Sequence, residues 1–543
     1  MQTPRHIIAY DIGTTGLKTC LFRIDDTIRL LASETEPYAL KIFEDGGAEQ
    51  DPNEWWAAIR VTTQRLAAQL PAIDGISFCS QMQGLVLVDK DANPLRPAMS
   101  YMDQRAREEL RAGMSFGLQI AGANVFRLLK SLRYTGAAAV SVKDPVWKYK
   151  WVQAHEPEIF RQCYQWLDVK EYIIAKMTGK FVMTQDSAFA ALLYDIHKNE
   201  WSKPVCDMLG VDMSHLPAII RSADKVGGLT EAAAAELGLP AGTAVFGGGG
   251  DASLIGVGAG SGALGDTHVY SGTSGWVSTV VDKSLVDTAT MVAAIVGAQG
   301  GLYNYFAELE TAGKCLEWVR DHLALDEIGI FLEKLDVTAS FESKYTSLYE
   351  YLTEVIDSVP PGSGGVVFTP WLHGNRCPFE DPNARGMFFN ISLDTGKTEL
   401  LRSVIEGVCF HLRWFLEVQD KKIKTSEIIR FVGGGALSAV TCQILADVTG
   451  RVVETVDSPQ NAGAVGAAVV AAVGLGLIPD LGSAKQWIPA KAKFTPNPAH
   501  KAVYDRNFAV YKNLYAANKK NFKDLNQGPR IYISEEAVKR RSR

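Results

Sequence analysis

A short motif occurs twice in this chain, at an interval close to half its length. Ile12-Gly13-Thr14-Thr15-Gly16 recurs as Ser271-Gly272-Thr273-Ser274-Gly275. Each copy follows a short apolar run of β propensity (HIIAY; THVY) and precedes another (KTCLF; WVSTVV). The matched context predicts a duplicated β-rich domain, each copy built on a strand, a glycine–hydroxyl turn and a returning strand. At the start of the chain Ile7 to Tyr10, Lys18 to Ile24 and Ile28 to Glu34 read as three consecutive strands, a meander and not a βαβ unit.

Asp51 and Pro52 mark a helix start, an N-cap followed by a proline whose missing N–H costs nothing in the first turn. Apolar residues then recur at helical spacing through Leu70. Ile73 to Cys79 reads as a strand that ends at Ser80-Gln81-Met82-Gln83-Gly84, and Leu85 to Asp89 as another. The section from about 100 to 240 is mostly helical by pattern, with breaks at Pro145, Pro157 and Gly179.

Two further glycine clusters follow strands. Val245-Phe246 runs into Gly247-Gly248-Gly249-Gly250 and then Asp251, and Ile428 to Val432 runs into Gly433-Gly434-Gly435 ahead of a helix from about Ser438. Glycines after a strand let a backbone approach a ligand, so both clusters are expected at a ligand. The small-residue stretch Ala462 to Ile478 reads as a buried helix and not a membrane span, being short and rich in Ala and Gly.

With 61 acidic and 55 basic residues among 543, the net charge of −6 argues against a dedicated nucleic-acid binder. A hydrophobic fraction of 47% with 21% charged residues fits an ordinary soluble enzyme. The cysteines at 20, 79, 163, 206, 315, 377, 409 and 442 show no CxxC spacing and the histidines no HExxH pattern, so reduced thiols in a cytoplasmic chain are expected. No long apolar run follows the basic residues of MQTPRHIIAYDIG, so no signal peptide is expected, and the lysines and arginines from Lys519 to Arg543 read as a solvated tail. Gly396-Lys397-Thr398 lacks the first glycine of a P-loop, because position 391 is Ile. The GxGxxG match at Gly260, Gly262 and Gly265 runs into Asp266 and a strand-like THVYS, so it reads as a loop and not a dinucleotide fingerprint.

What remains suits a nucleotide held between two domains. Backbone N–H groups around Thr14 and Thr15, and around the Ser271–Ser274 turn on the opposite side of a cleft, can receive phosphate oxygens. Asp11, just before the first turn, is placed to hold Mg²⁺ or else to cap that turn. Asp251 is a candidate general base for phosphoryl transfer to an alcohol, or else a cap for the helix that begins ASLIGVGA.

The ordered set DIGTTGLK, EQDPNEWW, SQMQG, MDQR, GGGGD, SGTSG, NRCPFEDPNARG and FVGGGALS resembles the FGGY family of carbohydrate kinases over about residues 6 to 515. Its EQDPNEWW and HEPEIFRQ segments are most similar to the xylulokinase branch. The resemblance implies an α/β, actin-like/ribonuclease-H-like ATPase fold: two duplicated domains around an ATP cleft. The expected division is 1–262, 263–485 and a helical extension with basic tail at 486–543. It further implies ATP and Mg²⁺, a small-molecule sugar substrate, no nucleic-acid or membrane partner, and a homodimer as a family-compatible assembly.

By position, the resemblance makes Asp251 the catalytic base and Asp11 the Mg²⁺ carboxylate. It puts Gly13, Thr14, Thr15 and Lys18 in the first phosphate loop, Gly272, Thr273 and Ser274 in the second, and Gly433, Gly434 and Gly435 in an adenosine loop. Gln81, Met82, Gln83 and Asp103 fall at the sugar with Asp251. Two positions depart from the xylulokinase pattern: Ala252 follows Asp251 where Asn is usual, and Gln83 stands where His is usual. Glycerol kinases carry Arg-Glu where this chain has Met82-Gln83. The implied reaction is ATP-dependent phosphorylation of a ketopentose, D-xylulose first. Ribulose, erythritol and glycerol stay open as acceptors, and a non-kinase actin-like ATPase or regulatory binder stays open as a different class.

Overall fold

The computed structural model describes residues 4–67, 72–120, 122–322, 353 and 355–527. Its first half contributes β1 (Arg5–Ile12), β2 (Gly16–Ile24), β3 (Ile28–Pro37), helix α1 (Pro52–Ala67), β4 (Gly75–Ser80), helix α2 (Val169–Thr178), β5 (Lys225–Gly228), β6 (Ala244–Phe246), β7 (Gly249–Gly250) and helix α3 (Asp251–Gly258). β1, β2 and β3 form the expected antiparallel meander, and β4 runs parallel to β1. The sheet order is β5-β6-β4-β1-β2-β3, with β7 continuing against β4.

The second half contributes β8 (Thr267–Ser271), β9 (Gly275–Val281), β10 (Val286–Asp287), β11 (Val292–Val296), β12 (Tyr303–Leu309), helix α4 (Gly313–His322), helix α5 (Lys397–Gln419), β13 (Ile428–Val432), helix α6 (Ala439–Thr449), β14 (Val452–Val456), helix α7 (Ala462–Gly474), β15 (Ala490–Phe494) and helix α8 (Lys501–Asn526). Its sheet order is β10-β11-β12-β9-β8-β13-β14-β15. Inside the outer hairpin the order repeats that of the first sheet. β3-β2-β1-β4-β6 is answered by β12-β9-β8-β13-β14, and each series closes on an antiparallel edge strand, β5 or β15. The duplication is thus visible in the topology, and the two glycine–hydroxyl turns occupy the same connection, β1–β2 and β8–β9.

Strand alternation sorts side chains between two faces. Ile8, Tyr10 and Ile12 of β1 pack on Trp55, Ala58 and Ile59 of α1, each large buried side chain stabilising by about 1.5–3 kcal/mol. Ile7 and Ala9 face the other way, into a core shared with Val465, Ala468 and Val469 of α7 and with Trp276 and Val432 of the second sheet. Helix α7 is the buried small-residue helix expected from Ala462 to Ile478, and it crosses α3 at close range. A Cβ at Gly258 would overlap the Ala462 carbonyl oxygen, and one at Gly466 would overlap that of Leu254. The two halves are therefore joined by a core to which both contribute.

Some expectations change. The stretch 100–240 holds helices of 4 to 11 residues interleaved with short strands. Pro145 and Pro157 start helices there instead of breaking them, the position where proline is tolerated. Gly179 does end a helix, as the left-handed cap of α2. Leu70 and residues 528–543 lie outside the described residues. The expected helical extension begins with a strand, since β15 pairs with β14. Lys519, Lys520 and Lys523 sit on the continuous helix α8, whose Tyr504, Phe508 and Tyr511 enter the second core beside Trp371 and Phe410. All eight cysteines are free and buried. Among the described residues no helix is long and apolar enough to cross a membrane.

Candidate active site

The four glycines after β6 serve protein packing first. A Cβ at Gly248, whose φ is +68°, would overlap the Phe78 carbonyl oxygen, one at Gly249 would lie 2.9 Å from Leu254 Cγ, and one at Gly250 would overlap the Met82 thioether. These glycines are required because β4, α3 and Met82 fill the space beside them. The Gly250 N–H donates to Asp186 Oδ2 at 2.7 Å, which fixes the chain one residue before Asp251.

Asp251 is the first residue of α3 and not its cap, which is Gly250, and its Oδ1 accepts the Ala252 N–H at 2.8 Å. Its Oδ2 accepts from no protein group among the described residues. Burial pushes this carboxyl up to about 7; the Ala252 N–H opposes the shift, and the charges of Asp11, Glu308 and Asp168 add to it. A helix start favours the ionised form, but here desolvation and like charge outweigh it. The result is a carboxyl poised to gain or lose a proton near neutral pH.

Asp11 lies on the β1 face turned toward α7. Gly463, in the first turn of α7, fits beneath it: a Cβ there would sit 3.0 Å from Asp11 Oδ2 and 2.8 Å from Cys79 Sγ. Burial pushes the Asp11 carboxyl up, while Lys18 and the Cys79 thiol pull it down. Lys18 stands opposite Asp11 across the β1–β2 ladder. Its ammonium donates to Asn461 Oδ1 at 2.7 Å and to the Gln460 carbonyl at 3.2 Å. Lys18, expected in the first phosphate loop, here clamps β2 to the loop that starts α7.

The turns themselves suit an anion. In the first, the Gly13 carbonyl accepts the Tyr38 hydroxyl, the Thr14 carbonyl accepts Gln50 Nε2 at 2.8 Å and the Thr15 carbonyl accepts the Tyr38 N–H at 3.2 Å. In the second, the Gly272 carbonyl accepts the Gly313 N–H at 2.7 Å and the Thr273 carbonyl accepts the Ala312 N–H at 3.1 Å. Among the described residues, the N–H groups of Thr14, Thr15, Thr273 and Ser274 donate to no protein acceptor. Carbonyls tied back with N–H groups left over is the arrangement that receives phosphate oxygens.

The SQMQG segment is braced from behind. Asp168 accepts the N–H groups of Gln83 and Gly84, both at 2.9 Å, and the Gln83 carbonyl accepts Lys148 Nζ at 2.7 Å. These bonds hold Gln83 at φ +64°, a conformation costly for a residue with a side chain. Burial and the Glu171 charge push Asp168 up to about 7, and burial pushes Lys148 down to about 8. Met82 lies against Gly250, next to Asp251. Gln81 donates through Nε2 to Gln50 Oε1 at 2.9 Å, and Gln50 in turn holds Thr14, so the segment is tied to the first turn. Among the described residues the buried Gln81 Oε1 has no hydrogen-bond partner.

Asp103 departs from expectation. Its side chain is 0% exposed and both oxygens are engaged: Oδ2 accepts the Ala48 N–H at 2.9 Å and the Arg105 guanidinium at 2.6 Å, and Oδ1 accepts the Arg105 backbone N–H at 3.1 Å. It is a buried anchor, not an open sugar ligand. The second glycine cluster is likewise only partly open. Gly433, at φ +93°, passes the Ser271 carbonyl, Gly435 lies against the Ser271 side chain, and only Gly434 has free space around it. Ser438 caps α6, accepting the Thr441 N–H at 3.1 Å.

The sequence reading missed Asp186, Asp168, Lys148, Gln50 and Gly463. Asp168 carries a local signal, as the N-cap of α2. The others carry none, because their partners are brought in from distant parts of the chain.

Comparison with known proteins gives a consistent picture. Residues 6–258 match the N-terminal domain of the FGGY family of carbohydrate kinases, and residues 268–475 match its C-terminal domain. A xylulose kinase of Bacillus subtilis is 29% identical over 532 residues, 96% of this chain and 98% of that protein. Two solved structures from Lactobacillus acidophilus, a gluconate kinase and a ligand-bound xylulose kinase, each superpose with a TM-score of 0.81 at 25% identity, covering 96% of this chain and 100% of theirs.

Proposed function

Because the chain belongs to the FGGY family of carbohydrate kinases, we propose that it transfers the γ-phosphate of ATP to the primary hydroxyl of a ketopentose, converting D-xylulose to D-xylulose 5-phosphate. The observation that carries this reading is the Asp251 carboxyl, held near neutrality at the start of α3 with one oxygen unengaged among the described residues. A base must meet the acceptor hydroxyl in line with the terminal phosphate. Asp251 takes the hydroxyl proton as the sugar oxygen bonds to phosphorus, and the bond to the bridging oxygen breaks to leave ADP. The free N–H groups of Thr14, Thr15, Thr273 and Ser274 hold phosphate oxygens from two sides.

Asp11 suits Mg²⁺, which binds through one or two carboxylates plus phosphate oxygens. Bound there, the ion supplies charge neutralisation to the phosphates. The halves, divided near residue 262, close over the substrates and exclude water.

A neutral sugar is favoured over gluconate, although a gluconate kinase is among the similar structures. The charges of Asp11, Glu308 and Asp168 already act on Asp251. The nearby ammonium groups are spent on protein, Lys148 on the Gln83 carbonyl and Lys18 on Asn461. A substrate carboxylate would add like charge to these carboxylates, whereas a neutral sugar would not. The test is an ADP-release screen of the purified chain with D-xylulose, D-ribulose, D-gluconate, glycerol and erythritol. D-xylulose is expected to give the highest kcat/KM. A higher value for gluconate would overturn the substrate, and ADP release indifferent to every sugar would overturn the kinase reading.

A further inference from the structure

The duplication sets one residue opposite Asp11. The offset of 259 residues that relates Gly13 to Gly272 relates Asp11 to Tyr270. Both stand two residues before their turn, on the face turned toward the other half. On β1 that face carries Ile7 and Ala9, and on β8 it carries His268, whose ring lies against Gly256 of α3. From His268 to Tyr270 the strand advances about 7 Å toward its turn. From Gly256 back to Asp251, α3 covers about 7.5 Å. The Tyr270 ring therefore lies beside the start of α3, where Asp251 sits. Consistent with this, the charges of Asp11 and Asp251 act on the Tyr270 phenol, with that of Cys79 behind them.

The ring is fixed. It stacks on Trp276 with centroids 4.0 Å apart, and Trp276 is locked by donating Nε1–H to His268 Nε2 at 3.0 Å. The hydroxyl lies under the second turn, where a Cβ on Gly272 would overlap it. Among the described residues it has no hydrogen-bond partner. A rigid donor thus points, unpaired, into the space between the second phosphate turn and the two carboxylates.

Resting on the kinase reading above, we propose that Tyr270 is a further catalytic residue, donating a hydrogen bond through its hydroxyl to a γ-phosphate oxygen as the phosphoryl group moves from ADP to the sugar. Tyr270 keeps its own proton throughout; the proton of the sugar hydroxyl goes to Asp251, and the broken bond is that to the bridging oxygen of ADP. A phenol is ordinarily protonated below about pH 10, and burial together with the two carboxylates strengthens this. The donor is pre-placed, so it costs no reorganisation when charge shifts onto the oxygens of the transition state.

Tyr270→Phe removes the hydroxyl and keeps the stacked ring. With the best acceptor from the screen, kcat is expected to fall between about tenfold and 1,000-fold, the range for loss of one transition-state donor, while KM for ATP and for the sugar stay within about threefold. Affinity for ADP with aluminium fluoride, a mimic of the moving phosphoryl group, is expected to fall in parallel, with affinity for ADP alone unchanged. A kcat and fluoride-complex affinity within twofold of the unsubstituted chain would overturn the proposal and leave Tyr270 as packing. Should the unsubstituted chain release no ADP with any sugar, the kinase reading fails by itself, and the fluoride-complex comparison still decides Tyr270. Thermal unfolding of the variant within about 2 °C of the parent verifies that the stack is intact; if it is not, 4-fluorophenylalanine at position 270, which keeps the ring and nearly its full bulk without a donor, takes its place in the same comparison.

Discussion

Replacing Asp251 with Asn should abolish catalysis and stabilise the protein, and the second effect depends on pH in a definite direction. The carboxyl moves from an ordinary 3.8 to about 7 in the fold. A shift of about three units, at roughly 1.4 kcal/mol each, means that ionising it in the native state costs about 4 kcal/mol. The folded carboxyl keeps its proton up to near pH 7, whereas the unfolded chain releases it near pH 4. Above pH 7 both states are ionised and only the native one bears the cost; below pH 4 neither does. The gain from Asn is therefore full at pH 8 and is lost as pH falls from 7 toward 4. Spread over the unfolding entropy of a chain this long, about 4 kcal/mol corresponds to a rise of roughly 3–4 °C in Tm at pH 8. Thermal unfolding at pH 8 and pH 5 measures it. In the coupled ADP-release assay kcat should drop by about 10²–10⁴, the worth of a general base, with nucleotide affinity by calorimetry nearly unchanged. The parent's kcat/KM should climb with pH through about 7. Retention of a tenth of kcat would remove Asp251 from the base role, and a Tm at pH 8 equal to or below the parent's would show that its carboxyl is not strained toward neutrality.

Two glycines offer independent checks. In Gly272→Val the new side chain overlaps the Tyr270 hydroxyl, so the turn must shift and KM for ATP should rise about tenfold or more, consistent with about 1–3 kcal/mol of overpacking; an unchanged KM would mean that this turn is structural only. In Gly258→Ala the Cβ overlaps the Ala462 carbonyl oxygen and stands 2.7 Å from the Gly466 nitrogen. The crossing of α3 and α7 should lose about 1–3 kcal/mol or more in denaturant unfolding, and parent-like stability would show that these helices separate without cost.

The duplicated meander, the two turns between paired strands, the start of α1, the buried Ala-Gly helix and the position of Asp251 at a strand end were all legible from residues close together in the chain. Alternating apolar residues dictate a two-faced strand, a glycine–hydroxyl turn dictates its reversal, and a run of small residues dictates a helix that others approach closely. Those constraints act over a few residues, so one sequence carries them in full.

What the glycine clusters do, and which charges remain available, only the tertiary structure decided. Gly248 and Gly433 lie against Phe78 and Ser271, so protein packing already requires a glycine at both. The ammonium of Lys18 is tied to Asn461, a residue from the other half that no local pattern brings near it. Asp103 looked like a sugar contact until Arg105 and the Ala48 N–H enclosed it. The upward shift of Asp251 arises from desolvation and from Asp11, Glu308 and Asp168, residues spread over most of the chain. A side chain's partners and its dielectric surroundings are set by packing between distant segments, and no local pattern encodes them.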